Sequence, residues 1–498
     1  MASRSRSRSR SREVAVEVRL PSGRSASLRL SCDATVRELK LEAQRRLKRR
    51  FLKLTAQGRC LDLAAPLRAA GVDGDLVEAV AQRPEIAATN FAFALFVPGG
   101  PVVTWGDKAA KTNNCWAPVT KAAQIAASAR AFSAIREDGA VVKWGDVLYG
   151  GDLDVIGHVP GAQLRQLALA EGSRAVRIQA SGRAFSAILS DGTVQAWGAM
   201  EGQNRIFKRV QQIQSTRQDG FAAILDDDST VFTWGNTRWG GDCDEVQKQL
   251  WDVKQIQSTH GAFAAIRQNG SVVTWGDPDY GGDSYQVRGR LKGVKAIQAT
   301  DRAFAAILKD GTVVSWGNAD LGGDSREVQE ELMKQVQQIQ STAGAFAAIR
   351  QDGKAVCWGS HLWGGDSSKV ATPGVRMIQA SCGAFAAILE DTSVATWGHA
   401  EYGGDCSQVR NKLRNVQQIQ ATSRAFAAIL GDGSVVTWGD LLYGGESGEV
   451  SDQLTRVQQI QANPHAFAAI CEDGAVVTWG DENNGGDSSQ VQEQMDLL

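Results

Sequence analysis

The dipeptide Trp-Gly recurs ten times in this 498-residue chain, at Trp105, Trp144, Trp197, Trp234, Trp275, Trp316, Trp358, Trp397, Trp438 and Trp479. Over most of the array the spacing is close to 41 residues. A fixed period of that length restricts the chain to a repeat architecture, in which each copy is one supersecondary unit that buries its faces against its neighbours. The copy at Ile297–Gln338 shows the full signature: Ala-Phe-Ala-Ala-Ile, Asp-Gly, Val-Val-x-Trp-Gly, then Gly-Gly-Asp. Phe132, Phe185, Phe263, Phe304, Phe346, Phe385, Phe426 and Phe467 each sit twelve residues before their Trp, whereas Phe221 sits thirteen before Trp234 because Asp226-Asp227-Asp228 adds one. Ile86, Phe93 and Trp105 keep the spacing of Ile297, Phe304 and Trp316, so a degenerate first unit starts near Pro84. One connection is long: Leu153 to Ala175 carries about a dozen extra residues.

Within one unit, Val294-x-x-Ile297-x-Ala299 reads as a short strand. The unbroken apolar run Phe304–Leu308 reads as a strand buried on both faces. Asp310-Gly311 makes a hairpin turn, and Val313–Trp316 is a third strand. The alanines beside Phe304 leave room for close packing between sheets. After Gly322-Gly323, Asp324 or Ser325 is expected to cap a short helix with Val328 and Leu332 on one face. A lone three-stranded sheet is marginal, and stacking similar units buries its faces. The expected fold is mainly β: a propeller-like array of about ten three-stranded blades with short helices over 84–498, preceded by a small α+β unit.

That small unit spans 13–82, after an Arg-Ser tract at 1–12 whose composition does not support a packed core. Val14, Val16 and Val18 alternate as a strand, and Ser27–Leu30 pairs with it. Asp33 is placed to cap a helix over about 35–47 with Val36, Leu39, Ala43 and Leu47 on one face. Phe51–Leu54 and Leu76–Val80 read as further strands. The order resembles ubiquitin, best at Cys32–Val36, Leu54–Gly58 and the Leu67…Gly71…Leu76 segment. Two departures qualify what the resemblance implies. The chain continues through Ala81-Gln82-Arg83-Pro84 where ubiquitin ends in a free Gly-Gly, and Thr55 stands where ubiquitin exposes an isoleucine. The tract at 1–12 resembles a very short arginine-serine tail of splicing factors, which implies weak nucleic-acid contact or import-receptor binding; the plainer reading is a solubilising tail. The run Arg45–Arg50 is read as a solvated helix end, with a localisation or phosphate-binding patch as the alternative.

The repeats resemble those of the regulator of chromosome condensation, in which a small-residue and aromatic strand, Asp-Gly, Val-x-x-Trp-Gly and a glycine turn follow in the same order. In length they are similar to the shorter blades of beta-lactamase inhibitor protein II. The family's Gly-x-x-His is mostly missing, with His465 in a comparable place in one unit only, and ten units do not fit its common seven-bladed ring. The resemblance implies protein partners, guanine-nucleotide exchange on a small GTPase, or a chromatin adaptor. Propellers of this family also occur in HECT-type ubiquitin ligases, which implies an accessory or substrate-recognition role in ligation.

Residues 1–83 hold 19 Lys/Arg against 9 Asp/Glu, about +10, and the remainder is about −11, a basic appendage on an acidic body. The eight cysteines form no C-x-x-C pair and the five histidines lie in different units, so no catalytic constellation, metal or cofactor site is read. No apolar run is long enough to span a membrane, and a cytoplasmic or nuclear setting is expected. Trp275, Trp316, Trp358, Trp397, Trp438 and Trp479 are structural repeat positions, as are Asp283, Asp324, Asp366 and Asp405 of the Gly-Gly-Asp turns. Their counterparts Asp152, Asp242, Asp487 and the variant Glu446 complete a set that would make a circle of carboxylates; turn geometry and capping explain each copy locally, a cation or basic-partner site being the alternative. The aromatic before each turn varies, and Tyr149, Trp239, Tyr280, Trp363, Tyr402 and Tyr443 are the candidate partner-binding residues. The expected function is a non-catalytic interaction scaffold: the propeller binds proteins, and the ubiquitin-like unit links it to ubiquitin or proteasome machinery.

Overall fold

The structure, a computed structural model, describes residues 13–498 except 73, 75, 108–118, 152–173, 181, 199–209, 226–228, 334, 367 and 369–372. The Arg-Ser tract, Asp152, nearly all of the Leu153–Ala175 connection and the Asp226–Asp228 insertion lie outside the described residues. No helix among the described residues is long and apolar enough to cross a membrane, which says nothing of a β-barrel.

In the N-terminal unit β1 (Glu13–Arg19) and β2 (Ser25–Ser31) form a hairpin, α1 (Val36–Leu47) crosses the sheet, and β3 (Leu52–Ala56), β4 (Arg59–Cys60), the single turn α2 (Leu67–Ala70) and β5 (Leu76–Ala81) follow. The sheet order is β2-β1-β5-β3-β4, with β1 and β5 parallel. Val14, Val16, Val18, Leu28, Leu39, Ala43, Leu47, Leu54 and Val77 make its core. Thr35, not Asp33, caps α1: its hydroxyl accepts from the Glu38 N–H while the Glu38 carboxylate accepts from the Thr35 N–H. The Thr-x-x-Glu spacing satisfies two donors at once and so outcompetes a lone Asp; Asp33 pairs with Arg68 instead, at 3.0 Å.

Each repeat is a three-stranded antiparallel blade, and there are ten among the described residues. In the sixth the inner strand is Val294–Ala299, the middle strand Ala303–Leu308 and the outer strand Val313–Gly317. Phe304 and Trp316 are direct cross-strand partners, as are Phe221 and Trp234 across the longer turn. The twelve-residue spacing is therefore a hairpin register, and in all ten blades the two rings stack with centroids 5.1–5.6 Å apart. The middle strand is buried on both faces because alternate residues meet different neighbours. Phe304 and Ala306 pack on the blade before, and Ala303, Ala305 and Ile307 on the blade after. In nine blades the inner strand carries a bulge near its start, as between Val294 and Ala296, which adds twist.

The Gly-Gly turn joins one blade to the next. It follows a 3-10 turn, Ala319–Leu321 in this unit, that the sequence reading did not anticipate. Gly322 has φ +103°, and a Cβ there would lie 2.6 Å from Phe346 of the following blade; one on Gly323 would lie 2.3 Å from the Gly317 carbonyl. Both positions therefore exclude a side chain. The carbonyl of the first glycine accepts the indole N–H of the next blade's Trp: Gly240 from Trp275, Gly281 from Trp316, Gly322 from Trp358, Gly403 from Trp438 and Gly444 from Trp479, at 3.0–3.1 Å. Trp105 of the first blade donates to Gly485 of the tenth at 3.1 Å. Ten blades thus close into one ring, and the contact that closes it is the one that joins every neighbouring pair just named.

The short helix expected after Gly-Gly-Asp is instead a three-residue 3-10 turn, Arg326–Val328. Asp324 does not cap it; its Oδ1 accepts from the Arg326 N–H two residues on. That Asx-turn satisfies the donor without a helix. Val328 and Leu332 do share one inter-blade cluster.

Closure needs one further residue. In blades four to ten a valine opens the inner strand and is buried between blades, as with Val294 and Val336, and in blades two and three an alanine does. The first blade has Arg83 at that position. Phe51, fully buried, fills the gap, packing with Phe93, Leu95, Ala466, Val476, Met495 and Leu498. Phe51 is not part of β3 as expected: its φ is +54°, and it turns out of the sheet toward Gly474 in the last blade's hairpin. The Arg50 N–H donates to Asp473 O, Arg49 pairs with Glu472 at 3.1 Å, and Arg50 pairs with Asp496 of the last helix, α3 (Gln492–Leu497). Lys40 donates to the Leu498 main-chain oxygen at 2.6 Å, and burial lowers its pKa to about 8. Reading Arg45–Arg50 as a solvated helix end holds for Arg45 and Arg46, which pair with Glu42, and fails for Arg49 and Arg50, which pair with carboxylates of the last blade and α3.

Candidate functional site on the turn face

The strands place two kinds of loop at opposite ends of the ring. The Asp-Gly hairpins, including the one under Phe51, lie at one end. The inner-to-middle turns and the Gly-Gly turns lie together at the other, called here the turn face. The N-terminal unit occupies the hairpin side and leaves the turn face open.

At the centre of the turn face is the mouth of a channel of about 940 Å³. Inner strands of neighbouring blades touch and form its wall. One turn residue from each blade lines the mouth: Asn90, Ala129, Gly182, Arg217, His260, Asp301, Ala343, Cys382, Ser423 and Pro464. Their backbones are linked around the ring. Asn90 donates its N–H to Ala129 O and Ala129 to Gly182 O; further round, His260 donates to Asp301 O, Asp301 to Ala343 O, Ala343 to Cys382 O, Cys382 to Ser423 O and Ser423 to Pro464 O. Proline has no N–H, so this belt cannot continue from blade ten to blade one. In eight blades a hydroxyl or amide before the turn ties it to the neighbouring Gly-Gly turn; Thr300 Oγ1, for example, donates to Leu321 O at 2.9 Å and accepts from the Ala303 N–H at 3.0 Å.

Around this mouth the six candidate aromatics, Tyr149, Trp239, Tyr280, Trp363, Tyr402 and Tyr443, are all half-buried. The structure brings them into one interrupted circle. Trp239 meets Tyr280 edge-on at 5.2 Å and Trp363 lies 6.5 Å from Tyr402. Where neighbours stand further apart an arginine fills the space: Arg130 over Phe91 and Tyr149, Arg183 over Tyr149, Arg302 over Tyr280, and Arg424 between Tyr402 and Tyr443. Where the circle is tight the turn residue is glycine. A Cβ on Gly261 would fall 2.6 Å from Trp239. His465 stacks between Tyr443 and Phe91, at 5.2 and 5.3 Å, and closes the circle across the last and first blades. Burial lowers the His465 pKa; Asp481 opposes this and Arg424 adds to it.

The arginines are held by carboxylates at the starts of the 3-10 turns. Arg238 pairs with Asp277 at 3.1 Å and Arg424 with Asp440 at 3.5 Å. Burial raises the Asp219 pKa, partly offset by Arg183 at 3.5 Å. Sequence reasoning missed this arginine contribution, and also the cluster in which His260 Nε2 lies 3.0 Å from Asp301 and 3.1 Å from Arg217. The available signal was the pair of residues following each Thr or Ser at the end of an inner strand, as in Thr300-Asp301-Arg302.

The Gly-Gly-Asp carboxylates are not assembled into a site. Asp242, Asp283, Asp324, Asp366, Asp405 and Asp487 each accept from the backbone N–H two residues on, at 2.8–3.0 Å. Among the described residues no three His, Cys, Asp or Glu side chains are grouped to hold a metal. Buried Cys243, Cys357 and Cys471 have raised pKa values, the last to about 11, all through burial, so these thiols are not activated nucleophiles. His361 is exposed and His399 packs edge-on against Tyr402; His158 lies outside the described residues. The geometry offers flat aromatic and guanidinium surface around a wide opening, which suits contact rather than bond-making.

No protein-family model and no curated protein matches the chain. Solved structures do match. Prp20p from Saccharomyces cerevisiae is 17% identical, with 73% of this chain and 82% of that one covered and a TM-score of 0.33. The CRINKLY WD40 ectodomain of the Arabidopsis thaliana receptor kinase ACR4 is 13% identical over 64% of this chain and 95% of that one, with a TM-score of 0.29. A de novo protein designed on ubiquitin is 20% identical, covering 14% of this chain and 85% of that one, with a TM-score of 0.13.

Proposed function

We propose that the propeller is a non-catalytic protein-binding body that works through its turn face, with residues 13–82 linking it to ubiquitin or proteasome machinery. The observation that carries the first part is the circle of half-buried aromatics and arginines around the channel mouth. Tyr, Trp and Arg are enriched among the residues that carry most of the binding energy of protein interfaces. Here they are also pre-ordered by stacking, which lowers the entropy lost on binding. The second part rests on the order of elements in the N-terminal unit, whose solvent-facing sheet surface stays open while Lys40 and Arg49–Phe51 face the ring.

The test is affinity capture with the full-length chain. Variant Tyr280→Ala/Tyr402→Ala alters only the turn face, and Thr55→Glu/Val80→Glu alters only the open sheet of the N-terminal unit. Partners lost with the first variant and kept with the second support the turn-face reading, and ubiquitin or proteasome subunits lost only with the second support the link. Partners retained in full by both variants overturn it.

A further inference from the structure

Four strongly exposed leucines stand in the 3-10 turns of the turn face: Leu148, 65% exposed, alone in the second unit, and three in one sector. Leu362 is 68% exposed, Leu441 65% and Leu442 74%. They lie in the 3-10 turns of the seventh and ninth units, directly before Trp363 and Tyr443. Those two aromatics belong to one continuous run, Trp363–Tyr402–Arg424–Tyr443–His465. The matching positions in the fourth, fifth and sixth units are Thr237-Arg238, Pro278-Asp279 and Ala319-Asp320. Isolated exposed leucines are ordinary, but several grouped beside half-buried aromatics mark an interaction site.

The exposed charge in the 3-10 and Gly-Gly turns of this arc is acidic. Glu401, Asp405, Glu446, Glu482 and Asp487 are exposed in the turns that flank the leucines. Arg424, the cation inside the run, is committed to Asp440 and to two aromatic faces.

We propose that this arc docks a basic amphipathic segment of a protein partner. Its apolar side chains rest on Leu362, Leu441 and Leu442, and its Lys and Arg side chains face Glu401, Glu446 and Glu482. The assignment rests on the turn-face reading and narrows it to one sector. Rim charges of this kind raise the association rate and are screened by salt, while the apolar contact sets how long the complex lasts.

The probe is a synthetic Leu/Lys amphipathic helical peptide, with a Leu/Glu peptide of the same pattern as control, titrated into the full-length chain by fluorescence anisotropy. The Lys peptide should bind, weaken at least tenfold in Leu362→Ser/Leu442→Ser and in Glu401→Lys/Glu482→Lys, and weaken as salt rises; Leu148→Ser/Asp279→Lys, in the other sector, should leave it unchanged. The residues substituted in these three variants are all exposed, and circular dichroism checks each fold. Equal binding of the two peptides, or no loss in either arc variant, overturns the proposal. If partner capture is lost in Tyr280→Ala/Tyr402→Ala but kept in both arc variants, the sector is wrong and the turn-face reading stands; if all of these variants keep it, both are wrong.

Discussion

At the scale of single residues, the repeated Trp acts twice in six of the blades. Its ring stacks on the Phe across the hairpin, and its N–H reaches the previous unit's first glycine. Trp316→Phe keeps most of the apolar area and leaves the Gly281 carbonyl buried without its donor. An unmet buried acceptor costs about 1–3 kcal/mol. The expected result is a lower urea midpoint by intrinsic fluorescence; an unchanged midpoint would show that the N–H bond contributes little beyond the stacking. His465 provides a pH signature. Its pKa is lowered in the ring from the ordinary 6.5, so the unfolded chain takes up protons more readily as pH falls. Its contribution is therefore fully present above about pH 6.5 and is lost below that value. His465→Asn should flatten the decline of melting temperature between neutral pH and pH 5 relative to the parent; an identical slope in both would assign the decline elsewhere.

At the scale of elements, the Gly-Gly turn sets how blades meet. Gly322→Ala combines positive φ with a Cβ 2.6 Å from Phe346, and neither can relax without moving the blade interface. Strain at such a position is of order 1–3 kcal/mol. Asp324→Ala loses an exposed Asx-turn bond and the exposed ion pair with Arg326, a pair worth about 0–1 kcal/mol, and should cost less than the glycine substitution. Paired thermal melts check the ranking, and a larger loss for Asp324→Ala would mean that the carboxylate does more than hold its own turn. The same elements explain what was legible. The twelve-residue Phe-to-Trp spacing reports a hairpin register directly, and the apolar run around Phe304 reports burial on two faces. The 3-10 turns were not legible, because three-residue turns leave no helical period to detect.

At the scale of the whole molecule, Phe51 ties the N-terminal unit to the ring. The flanking pairs, Arg49–Glu472 and Arg50–Asp496, are about a third exposed, and pairs of that kind contribute about 0–1 kcal/mol each. Removing a buried Phe costs about 3–5 kcal/mol, so the aromatic, not the charges, holds the junction. Phe51→Ala in the full chain should lower the melting temperature and split unfolding into separate transitions. Glu472→Gln should shift it little. A single unshifted transition in Phe51→Ala would show that Trp105 and Gly485 close the ring unaided. The channel-mouth circle also belongs to this scale, since His465 and Phe91 meet only because blade ten returns to blade one.

The period, the strand pattern and the turn chemistry follow from sequence alone, because each is a contact between residues close along the chain and repeats ten times in register. Tertiary structure alone decided three other matters. Ten blades close because the inter-blade contact that joins neighbours also fits between the last and the first. Arg49, Arg50 and Phe51 serve the ring because Arg83 leaves an apolar seat empty more than thirty residues downstream. The aromatics form a circle with arginines that no spacing links to them. Each depends on residues brought together by the curvature of the whole array, a quantity that accumulates over ten units and is written in none of them singly.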